Sequence, residues 1–515
     1  MPDKRFIPYV QNQEMLLPPN LDEMVPADHM VRTISSVIDA IDTSTLLDLY
    51  PGGGRSAYHP TMLLKVVTFA YASGIFSSRK IAQASKESVY FLWLSGQTTL
   101  DHNTINRFRS KRIAPLFEEI FTEVVMLLSE HGYLDLDTYF LDGTKIEANA
   151  NKYSFVWKKN TARYSEALRK RIAEHLEQID KLNEEEEALL KDKETEDITS
   201  KDIENVAEKI NRRLKKAPKD KNLKKVARKI SADYLPRLKK YESQAKTFGN
   251  NRGSYAKTDT DATFMRMKED HMLNGQLKAG YNAQIGTNNQ FVLAYSIHQD
   301  RSDSLTLPAH LAHFKSHFDT LPKKICADAG YGSEENYTLL EKDNVCAFVK
   351  YNMFHKEQKR TYRTKNKSYK AKDFIYDKAS DSYLCPEGKS LHFDRVRTSK
   401  TATGYLTSSR VYICTDCHTC PARSKCIQQS GKQRQLWVNE ERIRLQNQAK
   451  ELLTSEEGLA LRKRRATDVE TVFGNIKQNY GFRRFSMRGI EKVSLEWGWM
   501  MMGHNMRKLH AQMTK

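Results

Sequence analysis

Three acidic residues stand where a carboxylate is expensive unless it is paired or holds a cation. Asp142 closes the short apolar and aromatic run Leu136 to Asp142, in Phe140-Leu141-Asp142-Gly143-Thr144. Asp328 closes a similar run, Lys324 to Asp328, in Ile325-Cys326-Ala327-Asp328-Ala329-Gly330-Tyr331-Gly332. Both runs have the length and composition of buried strands. The glycines that follow leave space for a ligand, and a charge in a buried strand calls for a partner or a metal. Glu470 is the third. It lies at the edge of the stripe Val469, Val472, Phe473 and Ile476, which would pack a helix onto a sheet. Lys463, Glu470 and Lys477 are spaced by sevens and so fall nearly on one line, with Lys477 about 10 Å beyond Glu470 at a helical rise of about 1.5 Å per residue. Gly474 lies between them and leaves room for a nucleic-acid backbone.

Oxygen-only donors suit a hard divalent cation, Mg²⁺ or Mn²⁺. Mg²⁺ keeps several waters and takes only a few carboxylates from a protein. Two such ions, about 4 Å apart, activate an attacking oxygen and stabilise a leaving one during in-line displacement at phosphorus. No protein nucleophile is required: water cuts the strand, and the freed 3′-hydroxyl then attacks a target in the same site. Taken one at a time, the acids also fit plainer roles, an Asp before Gly as a turn residue and a helix-edge Glu as a solvated one.

Sulfur is the second chemistry. Five of the seven cysteines lie between Cys385 and Cys426, as Cys385-Pro386-Glu387-Gly388 and then Cys414-x2-Cys417-x2-Cys420-Pro421-x4-Cys426. The start, Met1 to Arg5, lacks the layout of a secretory signal, so the clustering reads as metal binding rather than a disulfide framework. Four thiolates suit tetrahedral Zn²⁺, which would stabilise a small insert with little core of its own. The Cys414-x2-Cys417-x2-Cys420 spacing also suits an iron–sulfur cluster, and reduced, unligated thiols are the third reading. Cys326 and Cys346 flank strand-like runs and read as buried packing residues.

The elements that must position these groups divide the 515 residues into several units. Residues 1–132 read as a helical N-terminal domain, with Val31, Ile34, Ile38 and Ile41, and again Leu63, Val66, Val67 and Ala70, at helical spacing. Within it, the helix through Lys80 to Lys86, a break at Gly96 to Asp101 and the basic segment carrying Arg107, Arg109, Lys111 and Arg112 suit a helix-turn-helix reader of DNA or a solvated basic face. Residues 133–157 and 249–350 read as an α/β core, with further strands at Lys278 to Ile285, Gln290 to His298 and Lys324 to Asp328. Gly286 to Asn289 reads as a hairpin connection and Ser333 to Asp343 as a helix. Residues 158–248, dense in Lys, Glu and Arg and containing Glu184 to Glu187, read as an inserted helical hairpin or coiled-coil arm. Residues 351–440 hold a Lys-rich connector and the cysteine cluster, and residues 441–515 the Glu470 helix and a C-terminal helical region. Trp497 and Trp499 read as packing residues.

Composition bounds the partners. Lys and Arg outnumber Asp and Glu by 83 to 64, for a net charge of +19, which favours a polyanion. A hydrophobic fraction of 39% suffices for a core, and no apolar stretch is long enough to cross a bilayer, the best, Met62 to Phe76, being broken by Lys65. The expected compartment is the bacterial cytoplasm, with association to the nucleoid. Arg483, Arg484 and Arg488, after the Glu470 helix, are placed to grip phosphates.

Several segments also resemble a known family. Asp142-Gly143-Thr144-Lys145-Ile146-Glu147-Ala148-Asn149-Ala150-Asn151-Lys152-Tyr153 resembles the first-aspartate segment of DDE transposases from bacterial insertion sequences, in the subgroup with a helical N-terminal domain and a cysteine-rich insertion. Ala327 to Ser333 resembles their second-aspartate segment. Val469 to Lys477 and Gly481 to Phe485 resemble their glutamate helix and the turn after it. Tyr58-His59-Pro60, Ser77 to Lys80 and Asp101 to Ile105 match as well. The resemblance implies an RNase-H-like catalytic core with Asp142, Asp328 and Glu470 as a triad for two Mg²⁺ or Mn²⁺ ions. It further implies cleavage of double-stranded DNA at terminal inverted repeats and strand transfer of 3′-OH ends into target DNA, with a homodimer in synapsis. The family pattern gives Cys385, Cys417, Cys420 and Cys426 as the zinc set; spacing alone leaves Cys414 open as a replacement for one of them. Lys477 fits the family's trailing lysine. No tyrosine shortly precedes Glu470, and the register of the preceding arginine is open among Arg462 to Arg465. Rival readings are a nuclease without strand transfer and a non-catalytic, zinc-bearing DNA-binding regulator.

Overall fold

The computed structural model describes residues 20–50, 57–152, 154–183, 194–216, 219–249, 252–267, 277–359, 369–427 and 433–514. Tyr153, Glu184 to Glu187, the chain start and the middle of the Lys-rich connector lie outside the described residues. Thirteen strands are described: β1 (Thr138–Glu147), β2 (Phe155–Trp157), β3 (Ser254–Ala256), β4 (Thr263–Arg266), β5 (Leu277–Asn288), β6 (Phe291–His298), β7 (Lys324–Ala327), β8 (Cys346–Val349), β9 (Ile375–Asp377), β10 (Ser382–Leu384), β11 (Ser390–Lys400), β12 (Leu406–Ile413) and β13 (Gln435–Val438).

A mixed sheet lies at the centre, in the order β4-β5-β1-β7-β8, with β6 also paired to β5. β1, β7 and β8 run parallel, and β5 runs antiparallel to β1. β1 is longer than the sequence suggested. Gly143 does not end it, because β5 continues to pair from Phe140↔Thr287 through Glu147↔Gly280. The β5–β6 hairpin turns at Asn289 and Gln290 rather than at Gly286. Both turn residues have positive φ, 52° and 66°, as a two-residue turn matched to strand twist requires. Side chains alternate across the sheet. Tyr139 points to His310 and Phe314 of the Leu307–Phe318 helix on one face. Phe140 and Asp142 point to Arg464 and Arg465 of the Glu456–Gly474 helix on the other.

The N-terminal region is helical, with main helices at Met30–Ala40, Pro60–Ala72, Ser78–Glu87, Val89–Ser95, His102–Arg107 and Phe117–Glu130. It is not set apart from the core. One buried apolar cluster runs from Val25 through the sheet to Leu509. The link is the Ile490–Met513 helix, which packs on Pro60–Ala72 and on β6 and buries Trp497 and Trp499 completely. Gly503 permits the approach, since a Cβ there would meet the Ala72 backbone nitrogen at 2.7 Å. Asn505 exchanges two hydrogen bonds of 2.8 Å with the backbone of Val292, satisfying part of the β6 edge.

Residues 158–248 correct the expected hairpin. The helices Lys158–Asn183, Ser200–Lys216, Lys221–Lys229 and Leu235–Phe248 surround an apolar cluster of their own, including Leu168, Ile172, Ile203, Val206, Ile210, Val226 and Leu238. The short β2–β3 pair ties the two ends of this bundle together. The cysteine-bearing region is a five-stranded antiparallel sheet, ordered β13-β12-β11-β10-β9. Cys326 is buried as expected; Cys346 is exposed, because the strand it opens begins at the sheet's outer edge. No helix among the described residues is long and apolar enough to cross a membrane.

Burial gives the fold an acid limit. His504, on the C-terminal helix, donates from Nε2 to the Gln290 carbonyl at 2.9 Å, and desolvation lowers its pKa from 6.5 to about 4. The unfolded chain therefore takes up a proton that the native state refuses, and stability falls as pH drops from 6.5 through about 4. The loss from this one group is of the order of 3 kcal/mol. His504→Gln keeps the N–H donor without the titration. Denaturant unfolding between pH 7 and pH 4 should show a shallower acid limb in the variant; superimposable limbs would refute the assignment.

Candidate active site and cysteine cluster

The parallel register places the two aspartates side by side. Leu141 pairs with Ala327, so Asp142 and Asp328 follow as neighbours on the same face, on strands about 4.8 Å apart. Asp142 lies mid-strand, at the point where the shorter β7 ends beside it. It is 8% exposed, and its Oδ1 accepts the Gly143 amide at 2.8 Å. Asp328 is half-buried, and its Oδ1 accepts the Gly330 amide at 2.8 Å. Arg465, itself buried, sets its guanidinium 3.0 Å from Asp142 Oδ2. Within the Arg462 to Arg465 cluster, helix rotation turns Arg465 inward, while Arg464 bonds Asn289 and covers the Phe140 ring.

Sequence reasoning missed Asp303. Its Oδ1 accepts from Asn282 at 2.8 Å and from Gln284 at 3.2 Å. A Cβ on Gly330 would stand 3.0 Å from Asp328 Oδ1 and 3.3 Å from Asp303 Oδ2, so the two carboxylates flank one small space. Tyr331, completely buried, donates to Gln284 between them. Burial first, then the charges of Asp303, Asp142 and Asp328, drive its phenol well above its ordinary value. Nothing in the local pattern Arg301-Ser302-Asp303-Ser304 marks a neighbour of Asp328. The glycines of the second-aspartate segment have a clearer cause. A Cβ on Gly332 would lie 2.1 Å from the Lys350 carbonyl, a backbone atom that has nowhere to go. Lys350 follows β8, beside Asp328, and burial with nearby Arg465 and Arg462 lowers its pKa.

The Glu456–Gly474 helix crosses β1, β5, β7 and β8 on the Asp142 face. Leu461, Arg465, Asp468, Val469 and Val472 form its buried side, and Glu470 is exposed. Glu470 lies five residues past Arg465, about 7.5 Å along the axis. Among the described residues, the three acids do not gather within 4.8 Å of one another. Lys477 departs from the expected line. The helix widens into a π-type turn at Asn475–Asn479, which rotates Lys477 into a buried position while Lys463 and Glu470 stay exposed.

The turn after the helix is joined to the first-aspartate strand. Glu147 donates its amide to the Arg483 carbonyl at 3.2 Å and accepts from the Phe485 amide at 2.9 Å. Arg484 donates to the Ala148 and Ala150 carbonyls, and Arg488 to the Asn149 carbonyl. Arg483 bonds Gln478 at 2.6 Å. All three arginines remain exposed. A buried carboxylate, Glu496, fixes the same turn by accepting the amides of Ser486 and Met487, each at 2.9 Å.

Two regions of the chain match family models, a transposase domain at residues 19–111 and a transposase DDE domain at residues 384–510. Both matches are to transposase domains, and the second is of the DDE type. The second match contains Glu470, the turn after it and the five clustered cysteines; Asp142 and Asp328 lie outside both. No curated protein matches the chain.

In the transposase's N-terminal match, Arg107 is exposed but Arg109 is buried. Arg109 donates to the Tyr71 hydroxyl at 2.9 Å and to the Phe76 carbonyl, and its own carbonyl accepts from Trp499 at 3.0 Å. A phosphate would have to displace those bonds, so the observed role of Arg109 is packing of the helical region onto the C-terminal helix. An extra helix, Val89–Ser95, separates the two helices expected to form a reader.

The five cysteines line one cavity of about 20 Å³ at the edge of the β9–β13 sheet. Cys385 Sγ accepts the Lys389 amide at 3.2 Å, within a tight turn through Gly388. Such an amide stabilises a thiolate, and a ring of sulfurs around a water-sized space is a donor set that fits Zn²⁺. Burial raises Cys414 to about 11, and a hydrogen bond between its thiol and Cys417 adds to it.

The two glycines make opposite forecasts for stability. Gly332→Ala forces a Cβ against a carbonyl and should cost about 1–3 kcal/mol or more. Gly474→Ala enters open space in a helix and should gain up to about 1 kcal/mol. Thermal unfolding of both variants checks the pair, and a Gly332→Ala protein as stable as the parent would contradict the close approach.

Proposed function

We propose that this transposase cleaves double-stranded DNA at the terminal inverted repeats of its element and transfers the 3′-OH ends into target DNA. Asp142, Asp328 and Glu470 hold the divalent ions, Mg²⁺ or Mn²⁺, and the central sheet serves as an RNase-H-like core. The observation carrying the proposal is the adjacency of Asp142 and Asp328 on parallel strands beneath the helix that bears Glu470. Their donor set fits: hard oxygens, one carboxylate buried and one half-buried. When bound, a pair of such ions supplies Lewis acidity at both the attacking and the leaving oxygen.

The chain's own residues do the rest. Asp142 and Asp328 present oxygens whose other lone pairs are fixed by the Gly143 and Gly330 amides, so little reorganisation accompanies the reaction. Arg465 balances the buried charge of Asp142. Exposed Glu470 reaches the site from the side on which DNA arrives. Arg483, Arg484 and Arg488 keep unused N–H groups for phosphates while bracing the first-aspartate segment. The cysteines, with Cys385, Cys417, Cys420 and Cys426 as the set, hold structural Zn²⁺. Two DNA ends in one synapse call for a homodimer.

The test uses paired element ends, target DNA and Mg²⁺. Asp142→Asn, Asp328→Asn and Glu470→Gln should each lower cleavage and joining by about 10³-fold or more, a loss of roughly 4 kcal/mol of transition-state stabilisation, with DNA binding retained. Cleavage without a joined product would favour the nuclease reading. Activities untouched by all three substitutions would favour the regulator.

A further inference from the structure

Among the described residues, one group of three His, Cys, Asp or Glu side chains has ligand atoms all within 4.8 Å of one another. It contains neither the triad acids nor a cysteine: it is Glu118, His313 and His317. We propose that these three bind a transition-metal ion, Zn²⁺ by preference, that staples the N-terminal helical region to the core.

His313 and His317 are four residues apart on the Leu307–Phe318 helix and share one face, a spacing that lets two imidazoles reach a common ion. Glu118 comes from the Phe117–Glu130 helix, which packs alongside. Each ligand is already oriented by a second partner. His317 sets Nδ1 2.8 Å from the His313 carbonyl, which must be an N–H donation and leaves Nε2 as a lone pair. Glu118 Oε1 accepts the Tyr295 hydroxyl at 2.7 Å, leaving Oε2 directed at His313.

His313 is the residue that the protein alone leaves short. Its Nε2, the nitrogen turned toward Glu118, stands 3.7 Å from Oε2, too far for a hydrogen bond. Two ligands each about 2.05 Å from a tetrahedral ion are roughly 3.3 Å apart, so small movements would close the site. The three side chains border a cavity of about 10 Å³, with Thr122, Phe121 and Phe314 also on its wall. That space suits a metal-bound water as the fourth ligand. Two imidazoles and one carboxylate select Zn²⁺, Co²⁺ or Ni²⁺ over Mg²⁺.

The location separates this ion from the reaction centre. The His313 helix lies on the Tyr139 face of the sheet, and Asp142 is on the other face. The bound ion would bridge the last helix of the N-terminal region to the core, reinforcing the shared apolar cluster.

The full-length protein is stripped with chelator, reloaded with Zn²⁺, dialysed and assayed for metal by mass spectrometry, beside His313→Gln/His317→Gln. The parent should retain one more Zn²⁺ per chain than the variant, and Zn²⁺, but not Mg²⁺, should raise its melting temperature more. Equal zinc content and equal melting response would overturn the proposal. Should the double variant not fold, His317→Gln alone is read in the same way, since an amide can keep the bond to the His313 carbonyl.

Discussion

The buried contact between Arg465 and Asp142 is the constraint around which the centre of this transposase is organised. A lone carboxylate in the middle of a central strand would be strongly destabilising, and so would a lone guanidinium on the buried side of a helix. At 3.0 Å the two compensate each other, but only if the Glu456–Gly474 helix lies on one face of the sheet and in one register. That register sets everything downstream on the helix. Asp468 is led to Thr287 and the Gln290 amide, and Glu470 is left on the exposed side. Buried pairs of this kind contribute specificity of arrangement more than net stability.

The same helix and its following turn explain why distant motifs occur together. The Gly481 to Phe485 turn extends β1 through backbone bonds, and Arg484 and Arg488 hold the carbonyls of Ala148 to Ala150. The first-aspartate segment is therefore positioned partly by residues more than 330 places later in the chain. Glu496 anchors that turn to the C-terminal helix, which in turn packs on the N-terminal helices. Strand, turn and both helical regions form one mechanical unit.

Much of this was legible in the sequence, and what was not has definite causes. Asp142 and Asp328 stood out because a charge in a buried strand calls for a partner or a metal, and the fold sets the two side by side. The strand containing Asp142 was read too short, since Gly143 resembles a terminator when its partner strand is unseen; opposite Gln284 it simply makes room for a side chain. Arg465 could not be chosen among Arg462, Arg464 and Arg465 until the helix phase was fixed by packing. Asp303 was hidden in a polar loop, because its partners Asn282 and Gln284 lie on β5 and meet it only in the fold. The charged segment looked like a hairpin because its apolar residues are sparse. Ile203, Val206 and Ile210 at helical spacing were enough, with three other helices, to close a small core.

The salt bridge at Asp142 has one more consequence for how the site must operate. A carboxylate oxygen bound by a guanidinium is less available to a cation, so ligation at Asp142 competes with Arg465 for the same oxygen. Asp142 Oδ1 already accepts the Gly143 amide, which leaves Oδ2 as the contested atom. The buried setting strengthens both attractions alike and does not choose between them. The charges around Asp142 are those of Asp328 and Asp303 on one side and of Arg465 and Lys350 on the other, and on the proposed reading a divalent ion joins this set at Oδ2. On the proposed reading, Arg465 is the counter-charge to Asp142 when no ion is bound.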